Sequence, residues 1–188
     1  MELYDAIRGR WAARSYSPAP VDRALIHELI EAAACAPSAM NEQPWDFCVV
    51  QDLALRDDIS RRAAAYVFEQ TPWPDLGGLH PGRPDEPHFN IFYHAPVLVV
   101  ISARTGAWAT ENAALAAENL MLAAYDRGLG SCWIGLAQWW LRTDDGKAAI
   151  GCPAGFTPVA PIILGHPAAR AAQAPHRPPQ IRWLGNAP

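Results

Sequence analysis

The sequence predicts an α+β or α/β fold, an α/β sandwich in which helices cover a central sheet. Three observations carry that expectation. Segments with helical apolar spacing alternate along the chain with short apolar runs of strand character. Pro96–Ser102 (PVLVVIS) is apolar almost throughout, the mark of a strand buried on both faces. The 188 residues are 51% hydrophobic and 18% charged, enough apolar material for a core and too little charge for a disordered chain. One domain spanning 1–188 is therefore expected. The net charge of -4 and the lack of any Lys/Arg run argue against nucleic acid as a partner.

The elements follow in order. Residues 2–9 read as a short helix with Leu3, Tyr4 and Ile7 on one face. The Arg- and Pro-bearing stretch from Arg10 to Pro20 cannot be regular helix throughout. Asp22 is a good N-cap for a second helix, with Leu25, Ile26, Leu29, Ile30 and Ala33 on one face and Pro37 as its stop. Phe47–Val50 reads as a strand, and Asp52 caps a third helix carrying Leu55, Ile59 and Ala63. Thr71–Pro87 is Pro/Gly-rich and reads as a long loop. Glu111–Arg127 is a long Ala/Leu/Met helix ended by Gly128. It is apolar nearly all round, which places it in the core or at a subunit contact. Ser131–Ile134 reads as a strand, Thr143–Ile150 as a short helix and Pro161–Leu164 as a closing strand.

Several classes of function are disfavoured. The N-terminal residues lack the apolar stretch of a secretory signal. The apolar run within Ala113–Tyr125 is interrupted by Glu118 and Asn119 and is too short for a bilayer. A cytoplasmic protein with no membrane partner is the expectation. Cys35, Cys48, Cys132 and Cys152 form no CxxC pair and read as small buried hydrophobes. The histidines have no ligand spacing, so no metal site is expected. GxSxG, GxGxxG and the Walker lysine are all missing. Trp139 and Trp140 read as packing residues.

Four clusters remain as candidate chemistry. Arg10-Trp11-Ala12-Ala13-Arg14 sets two arginines four apart, and a guanidinium fork suits phosphate. Ala36–Trp45 (APSAMNEQPW) offers Ser38, Asn41 and Gln43 in a proline-limited loop, able to read the donor/acceptor edge of a planar heterocycle. Gly128–Gly135 (GLGSCWIG) permits close backbone approach by a ligand. His176-Arg177, held between prolines near the chain end, offers a returning cation. Taken singly, each has an ordinary structural explanation: surface arginines, turn chemistry, a tight helix-to-strand turn, a solvated tail.

Together, in this order, they resemble the nitroreductase family of flavoproteins from end to end. The opening is similar to that family's Arg-x-Ser-x-Arg phosphate loop, and APSAMNEQPWDFCVV resembles its most recognisable segment. HAPVLVVI, ENAALAAENLMLAAYDRGLGSCWIG and GCPAGFTPVAPIILGHP resemble its buried strand, its central helix with the strand after it, and its closing strand. Residues 70–95 match nothing in it.

The resemblance implies a mostly antiparallel sheet flanked by helices, a domain-swapped-like homodimer, FMN, and NADH or NADPH as donor. Small electron-poor acceptors such as nitroaromatics or quinones would be reduced in a ping-pong sequence. It puts Arg10 and Arg177 on the FMN phosphate, with Trp11, Ala12 and His176 beside them. It puts Arg14 near the N1–C2 side of the ring, as a cation that tunes the flavin. Pro37, Ser38, Ala39, Asn41 and Gln43 would approach from the other subunit, and Ile134 and Gly135 would supply backbone near the ring. No side chain is assigned as catalytic acid or base. Ala12 stands where the family usually has serine, removing a hydroxyl donor worth roughly 1.5–3 kcal/mol. Two alternatives stay open: an FMN enzyme with another reaction (dehydrogenase, reductive dehalogenase or flavin-consuming), or a non-catalytic flavin-binding protein.

Overall fold

The apolar run at 97–104 forms the middle of the sheet. The computed structural model describes residues 2–70, 89–169 and 176–185, so the Thr71–Pro87 segment lies outside the described residues. Strands β1 (Trp45–Val50), β2 (Val97–Arg104), β3 (Gly130–Trp133) and β4 (Phe156–Gly165) make one sheet of order β1-β2-β4-β3. Every neighbouring pair is antiparallel. The helices are α1 (Leu3–Gly9), α2 (Arg23–Ala34), α3 (Leu53–Gln70), α4 (Ala109–Asp126), α5 (Gly135–Leu141) and α6 (Asp144–Ala149).

Period-two alternation in β2 divides the interior in two. Val97, Val99, Ile101 and Ala103 face a core shared with α2 and α4. Leu98 and Val100 face a second core with Ile59 of α3, Ile91, Phe92, and Ala137 and Leu141 of α5. The result is helix, sheet and helix in three layers, the expected α+β sandwich.

The caps behave as their chemistry demands. The Asp22 carboxylate accepts from the Ala24 N–H at 2.8 Å, and Asp52 Oδ1 accepts from the Leu55 N–H at 2.7 Å. Gly128 ends α4 with φ 74, the left-handed conformation that costs glycine nothing. The eight buried residues of α4 are mostly alanines, with Leu120 and Met121, so the helix lies close against the sheet. Its apolar surface is thus largely consumed within one chain, the core placement expected of it, with Leu115 left exposed. Exposed apolar side chains gather instead on α1, at Leu3, Tyr4 and Ile7, the face expected to be apolar.

Other details depart from expectation. The sequence reading assigned no helix to 135–141, yet Ala137, Trp140 and Leu141 have the i, i+3, i+4 spacing that buries one face. Trp140 packs inside under the Arg62 guanidinium, 4.8 Å from the ring centroid, while Trp139 is exposed. Strand β4 starts at Phe156 rather than Pro161. A register shift across Val159 accommodates Pro158, a residue that cannot donate to the ladder. Cys132 is buried and Cys48 and Cys152 are half-buried, but Cys35 is exposed just past α2, so the expectation of four buried thiols fails there.

Truncating Leu120, fully buried between α4 and the sheet, should lower unfolding stability by about 2–5 kcal/mol in Leu120→Ala. Urea denaturation with an unchanged slope reads this out.

Candidate functional site

Residues 10–17 are laid along the open edge of the sheet. Ala12 bridges Ser131 of β3 in parallel sense, and the Ala13 N–H donates to the Ser131 carbonyl at 2.9 Å. Further on, the Ser17 N–H donates to the His166 carbonyl at 2.8 Å, and the Ala168 N–H to the Ser15 carbonyl at 3.0 Å. Two glycines permit this approach. A Cβ on Gly130 would sit 2.6 Å from Ala13 Cβ, and one on Gly165 would sit 2.8 Å from Tyr16 Cδ1. Tyr16 locks the segment by donating from its hydroxyl to the Ala13 carbonyl at 2.8 Å. Burial above all pushes the Tyr16 phenol well above its ordinary pKa; the neighbouring Cys132 adds to this and Arg14 opposes it.

The segment so fixed carries both Arg10 and Arg14. Cys132 in β3 is pushed up by burial and drawn back by Arg14 and then Arg10. Arg10 Nε lies 3.5 Å from Glu118 Oε1 of α4. That ion-pair contact lacks hydrogen-bond geometry, so the buried Nε–H has no hydrogen-bond acceptor among the described residues. An unsatisfied buried donor of this kind is costly unless something else completes it. Arg14 is exposed; burial above all raises the Tyr93 phenol, and the positive charge of Arg14 opposes it. Trp11 meets Tyr125 of α4 edge-on at 5.8 Å.

Ser38, Asn41 and Gln43 form a second, separate surface. The Ser38 hydroxyl accepts from the Gln43 N–H at 2.9 Å, and Gln43 Nε2 donates to Asn41 Oδ1 at 3.3 Å. Met40, Asn41 and Gln43 all hold positive φ, at 54, 54 and 48°. Non-glycine residues enter that region at a cost, which the hydrogen bonds of the loop offset. Pro37, Asn41 and Gln43 are exposed, with Ser38 and Ala39 half-buried. The loop is tied to α4 by the Ala39 N–H, which donates to Asn112 Oδ1 at 2.9 Å.

Asn112 and the contacts of the first cluster lie on different faces of α4. Six residues separate Asn112 from Glu118 and thirteen separate it from Tyr125. At 3.6 residues per turn both are roughly 120–140° around the helix from Asn112, and Tyr125 is about 20 Å along it. The arginine frame and the amide loop of one chain are therefore attached to different faces of α4.

Ile134 and Gly135 continue β3 into α5. Three residues past Ser131, Ile134 lies about 10 Å from the Ala12 bridge. Its N–H donates to the Pro161 carbonyl at 2.8 Å. Gly135 is exposed, and a Cβ on it would meet nothing within 4 Å. His176 and Arg177 stand apart from all of this, in a tail whose described residues 176–185 are exposed throughout. Sequence reasoning thus found Arg10, Arg14 and the Ser38–Gln43 loop but missed Tyr16, Tyr93, Asn112 and Glu118. Only the pairing of distant segments gives those four a place, and no local motif announces them.

Comparison with known proteins defines first the architecture. A nitroreductase with bound FMN from Bacteroides fragilis superposes with a TM-score of 0.84, covering 98% of this chain and 100% of that one at 24% identity. Among relatives by sequence, an NADH dehydrogenase from Thermus thermophilus is 30% identical over 176 residues, spanning 85% of this chain and 83% of its own. An iodotyrosine deiodinase from Thermotoga neapolitana is 33% identical over 135 residues, spanning 69% and 71%. The family model described as Nitroreductase family matches residues 7–166. The chain belongs to the nitroreductase family, and by class it is an oxidoreductase.

Two outcomes test this frame. Gly130→Ala should strip the 12–17 segment from β3 and cost about 1–3 kcal/mol, seen as a lower urea midpoint with faster exchange of the Ala13 amide. The second concerns pH. Because the Tyr16 pKa is raised in the folded state, the unfolded chain releases that proton first. Stability is then full below about pH 10 and declines above it by up to about 1.4 kcal/mol per unit. Tyr16→Phe should flatten that alkaline decline.

Proposed function

We propose that the chain is an FMN-dependent oxidoreductase that uses NADH or NADPH to reduce small electron-poor acceptors, nitroaromatics or quinones, as a cytoplasmic homodimer of single-domain subunits. The observation that carries this reading is the buried Arg10 Nε–H, which makes no hydrogen bond among the described residues, on a backbone segment fixed to β3 that also carries Arg14. A buried donor with no hydrogen bond, only an ion-pair contact to Glu118, fits a phosphate, and a second guanidinium fits the edge of the ring. In this reading Arg10 binds the FMN phosphate, with Trp11, Ala12, His176 and Arg177 contributing to that end. Arg14 faces the N1–C2 edge. The open space over Gly135, beside Ile134, leaves backbone accessible to the ring.

A dimer completes the site. The Ser38–Gln43 loop is attached to a different face of α4 from the arginine frame of its own chain, so Pro37, Ser38, Ala39, Asn41 and Gln43 would serve the FMN held by a partner. Exposed Leu3, Tyr4, Ile7 and Leu115 supply apolar surface for that contact, and Ile181, Trp183 and Leu184 supply more from the tail. No described helix is long and apolar enough to cross a membrane, and the four cysteines are free, in keeping with a reducing compartment.

Bound FMN would supply the chemistry, accepting hydride from the nicotinamide and passing reducing equivalents to the acceptor in a ping-pong sequence. The protein's part is to bind, orient and bias charge. Arg10 neutralises the phosphate, Arg14 holds positive charge where the ring gains negative charge, and the partner's amide loop encloses the ring. A second reading, reductive dehalogenation of a halogenated phenol on the same cofactor, is favoured by the likeness to iodotyrosine deiodinase.

The visible spectrum of the purified protein, followed by anaerobic titration with NADH and NADPH, tests the reading. Flavin absorbance that bleaches with either donor and returns with a nitroaromatic or quinone is the expected result; return with an iodophenol alone selects the second reading. A protein that takes up no FMN overturns both. Arg10→Ala should weaken FMN binding about 10- to 100-fold, the loss of one charge-assisted contact.

A further inference from the structure

Arg10 is held where two stretches of backbone meet. It caps the C-terminus of α1, its N–H donating to the Ala6 carbonyl at 3.0 Å, and two residues later Ala12 joins β3. Between them the chain is pressed against α4. A Cβ on Gly9 would collide with the Tyr125 ring, and the Trp11 ring meets that of Tyr125 edge-on. Glu118 lies seven residues before Tyr125. Seven residues are close to two helical turns, so both side chains leave α4 on the same side, about 10 Å apart along its axis. The face that seats the arginine segment therefore carries a carboxylate, and that carboxylate falls at Arg10.

The pairing between them is loose. Elsewhere in the chain cation and carboxylate meet closely: Arg127 Nη2 is 2.8 Å from Glu28 Oε2, and Arg62 Nη2 donates to Asp145 Oδ2 at 3.0 Å. Arg10 Nε and Glu118 Oε1 stop at 3.5 Å without hydrogen-bond geometry, although the Nε–H is buried and needs an acceptor. Among the described residues Arg10 has no other ion-pair partner. The two side chains are 29% and 47% exposed, and a pair so placed is weak. A carboxylate serving to fix Arg10 would close up on it as Glu28 closes up on Arg127. Glu118 instead offsets the charge of Arg10 and leaves its buried donor unsatisfied.

We propose that Glu118 is a specificity-determining residue of the cofactor site, its carboxylate competing with the FMN phosphate for Arg10 and so lowering the affinity for phosphorylated flavin. The inference rests on the reading of Arg10 as a phosphate ligand. Short charge-assisted hydrogen bonds to a phosphate are stronger than the contact Arg10 makes with Glu118, so Arg10 exchanges one anion for the other. The exchange is not free, because Arg10 gathers both anions at one point. A phosphate dianion and a carboxylate about 6 Å apart in water repel by an amount worth roughly tenfold in Kd. Holding the Arg10 side chain in place would offset this, but the contact lacks the geometry that holds. Riboflavin has no phosphate and feels neither effect. Glu118 thus narrows the preference for FMN over riboflavin and eases the release of FMN.

The test compares Kd for FMN with Kd for riboflavin, measured by titrating the flavin-free full chain, in wild type and Glu118→Gln. The FMN constant should fall about tenfold, and the riboflavin constant should move less than about twofold. In an Arg10→Gln background Glu118→Gln should tighten FMN by less than about threefold. An FMN constant in folded Glu118→Gln that stays the same overturns the proposal, and one that rises does so too, since Glu118 then orients Arg10. Equal tightening of both flavins overturns it as well, as does a tenfold gain with Arg10 replaced. Should Glu118→Gln fail to fold, Glu118→Ala, with the strongest helix former at this exposed position, is held to the same two constants. Wild-type protein that takes up no FMN defeats the functional reading instead.

Discussion

The backbone of residues 12–17 can lie against β3 and the end of β4 only because Gly130 and Gly165 present no side chain there. From that close approach the rest follows. Ala12 and Ala13 take their register from Ser131. Arg10 is drawn to α4 beside Glu118, and Arg14 is set near Tyr93 and Cys132. The two cations are thus placed by main-chain hydrogen bonds, which hold direction far better than long flexible side chains can. The site is a loop in sequence and an added strand in mechanics.

Helix α4 plays the complementary part. Its alanines let it sit close to the sheet, and its sides carry different attachments: the amide loop at Asn112, the arginine segment at Glu118 and Tyr125. A helix used this way separates two half-sites by its own girth. Two protomers in the proposed arrangement restore what the helix divides, and the cofactor would report on the contact between them.

Much of the fold was legible because local physics decided it. The unbroken apolar run at 97–101, the carboxylate caps Asp22 and Asp52, and Gly128 after α4 each act within a few residues. Helix α5 is only seven residues long, and its adjacent tryptophans have opposite fates, Trp139 outside and Trp140 inside, so its signal in the sequence is weak. The first half of β4 is hidden in the sequence because Pro158 argues against a central strand, and a register shift removes that objection. Of the site, Arg10, Arg14 and the Ser38–Gln43 loop stood out by residue type. Their partners did not: Ala39 meets Asn112 across 73 positions, and a separation of that length leaves no trace in local spacing.

The frame that carries the arginines also governs the order in which the molecule comes apart. Strand β2 is paired on both sides and covered on both faces, so its amides exchange with solvent only when everything opens. Strand β3 is four residues long, at the margin of the sheet, and the 12–17 segment hangs on it by a few main-chain bonds. That margin is the cheapest part to loosen. Whatever occupies it raises the free energy of that local opening by mass action, so the ligand and the weakest seam of the architecture are thermodynamically one subject.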